Sequence, residues 1–407
     1  MATTNFDTTT GQIDVLSNVA YIDGPPHEAL AWLRANRPLH HQTIDDPIWI
    51  GESYVLTRHA DVKAVSVDLE NFGNGEGHNL RNDHSDDDTR HLLNSDRPKH
   101  TDLRSVMSRE FTPRVVRQLG DTYANLASDA VQAVADEQSF DFVERVAVEV
   151  PMKAIVALMG APVEDQDRIL RWSNATISNI DPDYSPTPEA RMEAFGEMTE
   201  YAMMLKAARD ASASDDVSGL LVQALARGEL TPDEYVTYVV LLFVAGNETT
   251  RNAMSWGMKA FAEHPDQWTR FRSDPAGLID TTVEEVIRWA SPVNYMSRTV
   301  KNPVELHGTT LQPGKKVSLM YLSANRDETV FDDPFNFDIT RSPNPHLAFG
   351  HGAHFCLGAH LARLQVRSLL LALAPRVQRI ELTGEPEHVW SSFINGIKRL
   401  PLRLVNA

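Results

Sequence analysis

From Thr231 to Pro265 the chain reads TPDEYVTYVVLLFVAGNETTRNAMSWGMKAFAEHP, and its pattern predicts one long helix. Thr231 can cap it, Pro232 suits the first helical position, Asp233 and Glu234 suit the positive end of the dipole, and Pro265 follows its end. At ~1.5 Å per residue such a helix runs roughly 50 Å, and the apolar cluster Leu241, Leu242, Phe243 and Val244 implies burial on most sides. Its middle, AGNETT (245–250), breaks the pattern with a glycine and a run of polar residues. A buried polar group without a partner costs about 1–3 kcal/mol, so this turn either meets water or lines a site, and the apolar approach to it favours a site.

A second helix is predicted just after Cys356, with Leu357, Leu361, Leu364 and Leu371 on one face and Pro375 ending it. Strand-like patches occur at YVLTR (54–58), VELHGTTLQPGKKVSLMY (304–321) and GIKRLPLRLV (396–405). Two polar stretches, 73–88 and 179–190, read as surface loops and candidate lids. With no repeats and helical patterns elsewhere, the expected class is mostly α with a smaller β region.

Length and charge narrow the picture. A chain of 407 residues suggests two or three domains on length alone. Thirty-eight basic against 56 acidic residues leave a net charge of −18, which disfavours nucleic acid as a partner. A local basic stretch, RSVMSREFTPRVVR with Arg104, Arg109, Arg114 and Arg117, could still dock a macromolecule. The single cysteine forms no internal disulfide, the N-terminal stretch lacks a basic start with an apolar run, and the longest apolar run, YVVLLFVAG, is too short to span a bilayer. A cytoplasmic protein without a membrane anchor is expected.

That cysteine sits in HLAFGHGAHFCLGAH (346–360), among four histidines. A zinc site would need His351, His354, Cys356 and His360 to converge as a tetrahedron within ten residues, a cramped arrangement. A nucleophilic cysteine would need a histidine from elsewhere, and a haem would take the single thiolate as its iron ligand. An inert buried cysteine leaves the glycines and histidines unexplained. The nearby helix N-terminus is expected to lower the thiol pKa, and Gly350, Gly352 and Gly358 let the backbone approach the sulfur or a flat ligand closely.

FGHGAHFCLG resembles the haem-binding loop of the cytochrome P450 family, Phe-x-x-Gly-x-x-x-Cys-x-Gly, with Phe349, Gly352, Cys356 and Gly358 in the motif positions. The resemblance implies that Cys356 is the proximal ligand of a haem b iron, with Phe349, Gly350, Gly358 and His354 around the cofactor. It extends to HTDLR, whose His100 and Arg104 resemble a propionate-binding pair, and to Arg298 in MSRTV, which completes those contacts. Glu285 and Arg288 of EVIR, joined by Arg341, resemble the family's structural ion network. AGNETT resembles the distal motif, which implies Ala245 and Gly246 against the haem and Glu248 and Thr249 as the acid and alcohol that deliver protons. The likeness covers nearly the whole chain and implies one domain, 1–407, with the long central helix over the haem.

The implied activity is a haem-thiolate monooxygenase that inserts one oxygen atom of O2 into a C–H bond of a hydrophobic substrate. No Gly-x-Gly-x-x-Gly unit for a dinucleotide is present, so electrons are expected from NAD(P)H through a ferredoxin and its reductase. AGNETTRNAMSWGM, VEEVIRWASPVNYMSRTV, SANRDETVFDDPFNFD and FINGIKRLP look closest to actinobacterial enzymes that oxidise methyl-branched lipids and sterol side chains. In that scheme Val244, Ala245, Val293, Asn294, Met296 and Phe393 line the substrate pocket. A terpenoid or alkane hydroxylase of the same fold is the alternative. A non-catalytic haem-thiolate sensor is another, although no effector domain is appended, and a peroxide-driven enzyme would not need Glu248 and Thr249.

Overall fold

The long helix spans Pro232–Glu263, 32 residues, and a reciprocal capping box starts it. Thr231 Oγ1 accepts the Glu234 amide at 3.2 Å while a Glu234 carboxylate oxygen accepts the Thr231 amide at 2.8 Å. His264 closes it, and Pro265 opens the next helix, Pro265–Ser273. These features belong to a computed structural model that describes residues 6–7, 12–45, 49–80, 91–108, 110–177, 181–184, 187–212 and 214–406.

Packed around the long helix are the helices Glu149–Met159, Gln166–Ile177, Pro188–Ala211, Pro275–Ala290 and Ala359–Leu373. One apolar core runs through this bundle, with Phe243, Met254, Met258 and Phe261 of the long helix inside it. The helix stays α-helical across 245–250 despite the glycine and polar run there. Its polar side chains are accommodated within the regular helix, Thr249 Oγ1 donating back to the Ala245 carbonyl at 2.8 Å.

The β region is dominated by a five-stranded sheet in the order Leu39–Thr43, Glu52–Leu56, Lys316–Met320, Tyr295–Val300 and Phe72–Gly73. Lys316–Met320 lies parallel to Glu52–Leu56 and antiparallel to Tyr295–Val300, and every one of its residues is buried, as suits a central strand covered on both faces. Along Tyr295–Val300 the period of two puts Met296 and Arg298 on one face. The stretch 304–321 divides into Val304–Leu306, Thr309–Leu311 and Lys316–Met320, the first two joined by His307 and Gly308 with φ of 48° and 75°. The C-terminal patch divides into Ile397–Arg399 and Pro401–Asn406.

Two expectations about surfaces change. Of the expected face of the helix Ala359–Leu373, Leu361 is buried and Leu357 and Leu364 pack against the core, but Leu371 is 41% exposed, the buried side at that end being formed by Val366, Leu369, Leu370 and Leu373. The stretch 179–190 is not a free lid where it is described: Asp181 is fully buried, accepts the Trp390 amide at 3.1 Å and pairs with Lys398 at 3.2 Å. The second half of the other candidate lid, 81–88, lies outside the described residues, as does Arg109 of the basic stretch. Among the described residues no helix is long and apolar enough to cross a membrane.

Candidate haem site

The cysteine loop is folded back on itself by the Cys356 amide, which donates to the Phe349 carbonyl at 2.9 Å. Gly350 and Gly352 make the turns with φ of 70° and 74°. At Gly352 a Cβ would stand 2.6 Å from the Ser66 carbonyl oxygen, so no side chain fits. Above Gly358, in contrast, a Cβ would meet nothing within 4 Å. The loop is anchored from behind by Arg363, whose guanidinium carbon lies 4.5 Å from the Phe349 ring centre and which bonds Glu284 at 2.6 and 2.9 Å. Burial would raise the Glu284 pKa, but the bonds from His346 and Arg363 outweigh it and hold the carboxyl down to about 2.

Cys356 keeps open surface around its side chain, yet the surrounding protein is dense enough that burial pushes the thiol pKa up. The helix-end expectation of a lowered pKa is therefore not met: the Gly358 amide and the charges of Arg104 and Arg363 pull down, and burial outweighs them. A sulfur in this position becomes a thiolate against a cation, which a metal supplies. The long helix shows matching open surface. Ala245 is exposed and Val244, Gly246 and Thr249 are half-buried, although Phe243, Asn247 and Glu248 beside them are buried. Gly246 lets the neighbouring helix Glu149–Met159 approach closely, since a Cβ there would stand 3.2 Å from Ile155 Cδ1.

Four basic side chains converge, with Asp96 acting on His100 only at a distance. The His100 and His354 rings lie 4.1 Å apart, and burial, followed by the charges of Arg298, His100 and Arg104, drives the His354 pKa down to about 2. His100 Nε2 and Arg298 Nε are buried and have no partner, while Arg298 Nη1 donates only to its neighbour's carbonyl, Ser297 O, at 2.9 Å. No carboxylate among the described residues forms an ion pair with His100, Arg104, Arg298 or His354. The Arg298 and Arg104 guanidiniums call for an anion, with the neutral His100 and His354 rings beside them as hydrogen-bonding groups, and the two propionates of a haem match the need. The open sulfur, the empty space over Gly358 and the unpaired cations together fit that cofactor. Among the described residues no group of three or more His, Cys, Asp or Glu is arranged to hold a metal ion, so the zinc arrangement does not form.

Glu285, Arg288 and Arg341 meet as one buried network. Arg288 bonds both oxygens of Glu285 at 2.7 Å, Arg341 Nε reaches Glu285 at 3.2 Å, and Asn344 adds a bond at 3.1 Å. Arg288 Nη1 also donates to the carbonyls of Asn325 and Pro334 at 2.9 Å, and Asn325 in turn accepts the Leu347 amide at 2.6 Å. The network thus ties the helix Pro275–Ala290 to the start of the cysteine loop.

Glu248 and Thr249 point to different surroundings. Glu248 is fully buried, paired with Arg251 and bonded by Asn252 Nδ2 at 3.1 Å, with its second oxygen unpartnered. Arg251 continues to Asn174 at 3.0 Å and lies 5.6 Å from the Tyr184 ring centre, and burial raises the Tyr184 pKa to about 12. Sequence reasoning missed Arg251 and Tyr184. The three-residue spacing of Glu248 and Arg251 in ETTR was the available signal.

Of the expected substrate-pocket residues, Val293 and Met296 are half-buried, and Val293 bridges Ile394. Phe393 packs edge-on to Tyr295 with centroids 5.6 Å apart. Asn294 is fully buried and fastens that loop, its backbone amide donating to Phe393 O at 2.8 Å and its Nδ2 to Ser392 O at 3.1 Å, while its Oδ1 has no partner. Arg104 is half-buried and its charge acts on His354 and Cys356, which removes it from the surface basic stretch and leaves Arg114 and Arg117 exposed there.

Residues 48–274 and 277–389 match the family model described as cytochrome P450. A steroid C26-monooxygenase of Mycolicibacterium smegmatis is 39% identical over 95% of this chain and 92% of its own length. A methyl-branched lipid omega-hydroxylase of Mycobacterium tuberculosis is also 39% identical, over 92% of this chain and 90% of its own. The solved structure of a Mycobacterium marinum cytochrome P450 in complex with pseudoionone superposes with a TM-score of 0.90 at 34% identity, covering 99% of this chain and 100% of that one. On the geometry of the cysteine loop and on these matches together, this chain belongs to the cytochrome P450 family.

Proposed function

We propose that this cytochrome P450 monooxygenase hydroxylates a sterol or methyl-branched lipid, with electrons passed from NAD(P)H through a reductase and a ferredoxin. The observation that carries the reading is the open surface of Ala245 on the long helix together with the open sulfur of Cys356, in a fold whose other central positions are packed. Val244, Val293, Met296 and Phe393 are apolar and half-buried, a character that a lipid site requires of its lining. The names of the relatives, steroid C26-monooxygenase and methyl-branched lipid omega-hydroxylase, support the same substrate class. Exposed Arg114 and Arg117 offer an acidic ferredoxin a basic contact on a chain of net charge −18.

Bound haem, ligated by Cys356, supplies dioxygen activation, which a thiolate ligand favours by donating electron density. His100, Arg104, Arg298 and His354 would hold its propionates. Phe349, held by Arg363, fixes the cysteine loop through its carbonyl, which accepts the Cys356 amide. Inserting one oxygen atom and releasing the other as water consumes two protons, and the apolar lining keeps bulk water from supplying them indiscriminately. Thr249 is the half-buried hydroxyl on the open face of the helix, and by breaking its bond to the Ala245 carbonyl Oγ1 can accept and pass on a proton. Glu248 stands behind it as a charge held by Arg251, so it delivers protons only when that pair loosens.

Titration of the purified holoenzyme with sterols, branched fatty acids and terpenoids, read at the Soret band, tests the assignment. A saturable shift with the first two classes supports it. A shift with terpenoids alone selects the alternative hydroxylase, for which the pseudoionone complex is the supporting observation. Absence of turnover with NADH, ferredoxin and reductase, despite a ligand-induced shift, favours the sensor.

A further inference from the structure

A second site is suggested by an arginine that the haem centre does not use. Arg326 is 2% exposed. Its Nη2 donates to the Trp289 carbonyl at 2.7 Å and its guanidinium carbon lies 5.0 Å from the Trp289 ring centre, but Nε and Nη1 have no acceptor. The acid that acts on it, Glu285, is already engaged by Arg288, Arg341 and Asn344. Arg288 and Arg34 add further positive charge around it. A buried guanidinium left this way is strongly unfavourable unless an anion joins it.

Arg326 lines a cavity of about 260 Å³ with Trp256, Trp289, Phe335, His388 and Lys259. That volume equals roughly nine waters at about 30 Å³ each, or a two-ring organic molecule. A second unpartnered polar atom belongs to the same wall: His388 Nδ1 is buried without a bond, and its ring stacks on Trp256 with centroids 5.4 Å apart. Burial, then the charge of Lys259, lowers the His388 pKa, so the imidazole is neutral. The aromatic walls suit a flat ring. Asp23 and Glu263, both exposed, also border the cavity and disfavour a multiply charged anion such as phosphate. Trp256 is eleven residues beyond Ala245 on the long helix, about 16 Å at ~1.5 Å per residue, which separates this cavity from the haem centre.

We propose that this cavity binds an aromatic monocarboxylate, its carboxylate drawn to the under-neutralised Arg326 guanidinium in the wall and its ring against the indoles of Trp256 and Trp289. The inference is independent of the substrate assigned to the haem site. The test is calorimetric titration of the holoenzyme with 2-naphthoate and with 2-naphthamide, the Soret band being followed in the same samples. Naphthoate is expected to bind saturably without moving the Soret band, and the neutral amide at least about tenfold more weakly, a difference of ~1.4 kcal/mol. Arg326→Met is expected to abolish binding. Because that variant can fail to fold, Phe335→Ala, at a position 45% exposed, serves as the second variant and is expected to weaken naphthoate several-fold with an unchanged melting temperature. Equal binding of acid and amide, no binding heat, or a naphthoate-induced Soret shift overturns the proposal.

Discussion

Glu248 and Arg251, one turn apart on the long helix, form an ion pair sealed from water, with side chains 0% and 1% exposed. Removing one member of such a pair leaves a buried charge uncompensated, whereas replacing both by apolar residues of similar size is often neutral. Arg251→Met is therefore expected to destabilise the protein by about 3–5 kcal/mol, and Glu248→Leu with Arg251→Met by much less. Urea unfolding of the two variants decides the point. Equal losses in the single and double variants would mean that the pair's charges are not what the fold depends on.

Thr249 is the proton-delivering hydroxyl in the reading above, so Thr249→Ala should retain haem and bind substrate normally while product formation falls by ~100-fold. Electron consumption continues and appears as hydrogen peroxide. Coupling measured as product per NADH is the readout, and parental coupling in the variant would take Thr249 out of the proton path.

Cys356→Ser should abolish the thiolate signature of the reduced, carbon monoxide-treated protein. The unpaired cations make a separate demand on the same cofactor. Arg298→Leu removes a buried guanidinium whose Nε has no protein partner, so it should weaken haem retention and make the apoprotein no less stable. Haem transfer to apomyoglobin measures the first quantity and thermal unfolding of the apoprotein the second. A destabilised apoprotein with unchanged haem loss would show that Arg298 serves the fold.

Much of this site was legible because its residues sit in short, local patterns. The cap Thr231-Pro232, the glycine-punctuated loop before Cys356 and the three-residue spacing of Glu285 and Arg288 each specify a local geometry that tertiary packing then leaves alone. What the pattern did not carry was direction. Leu357, Leu364 and Leu371 share a helix face, but which face meets the core depends on partners distant in sequence, and Leu371 ends exposed. The polar turn at 245–250 was recognisable as exceptional, yet its side chains divide: Thr249 turns to the open surface and Glu248 to Arg251, Asn252 and, beyond them, Tyr184 from a segment 64 residues earlier in the chain. The Cys356 thiol misled for the same reason, since helix-end stabilisation is local and burial is not.

The loop's rear anchor gives a pH prediction. The Glu284 carboxyl is held at about 2 against an ordinary value of 4.5, first in opposition to burial and then by His346 and Arg363. Its folded pKa is depressed, so the unfolded chain takes up its proton first as pH falls. The stability Glu284 contributes is therefore fully present above about pH 5.5 and is lost progressively from pH 4.5 down towards 2. Glu284→Gln should be less stable than the parent by a constant margin between pH 6 and 8, and the two unfolding curves should converge below pH 4.5. Because Arg363 reaches Phe349 only while Glu284 holds it, the variant's Soret band should also shift at neutral pH. A stability margin that stays constant down to pH 3.5 would show that Glu284 acts through packing and not through its charge.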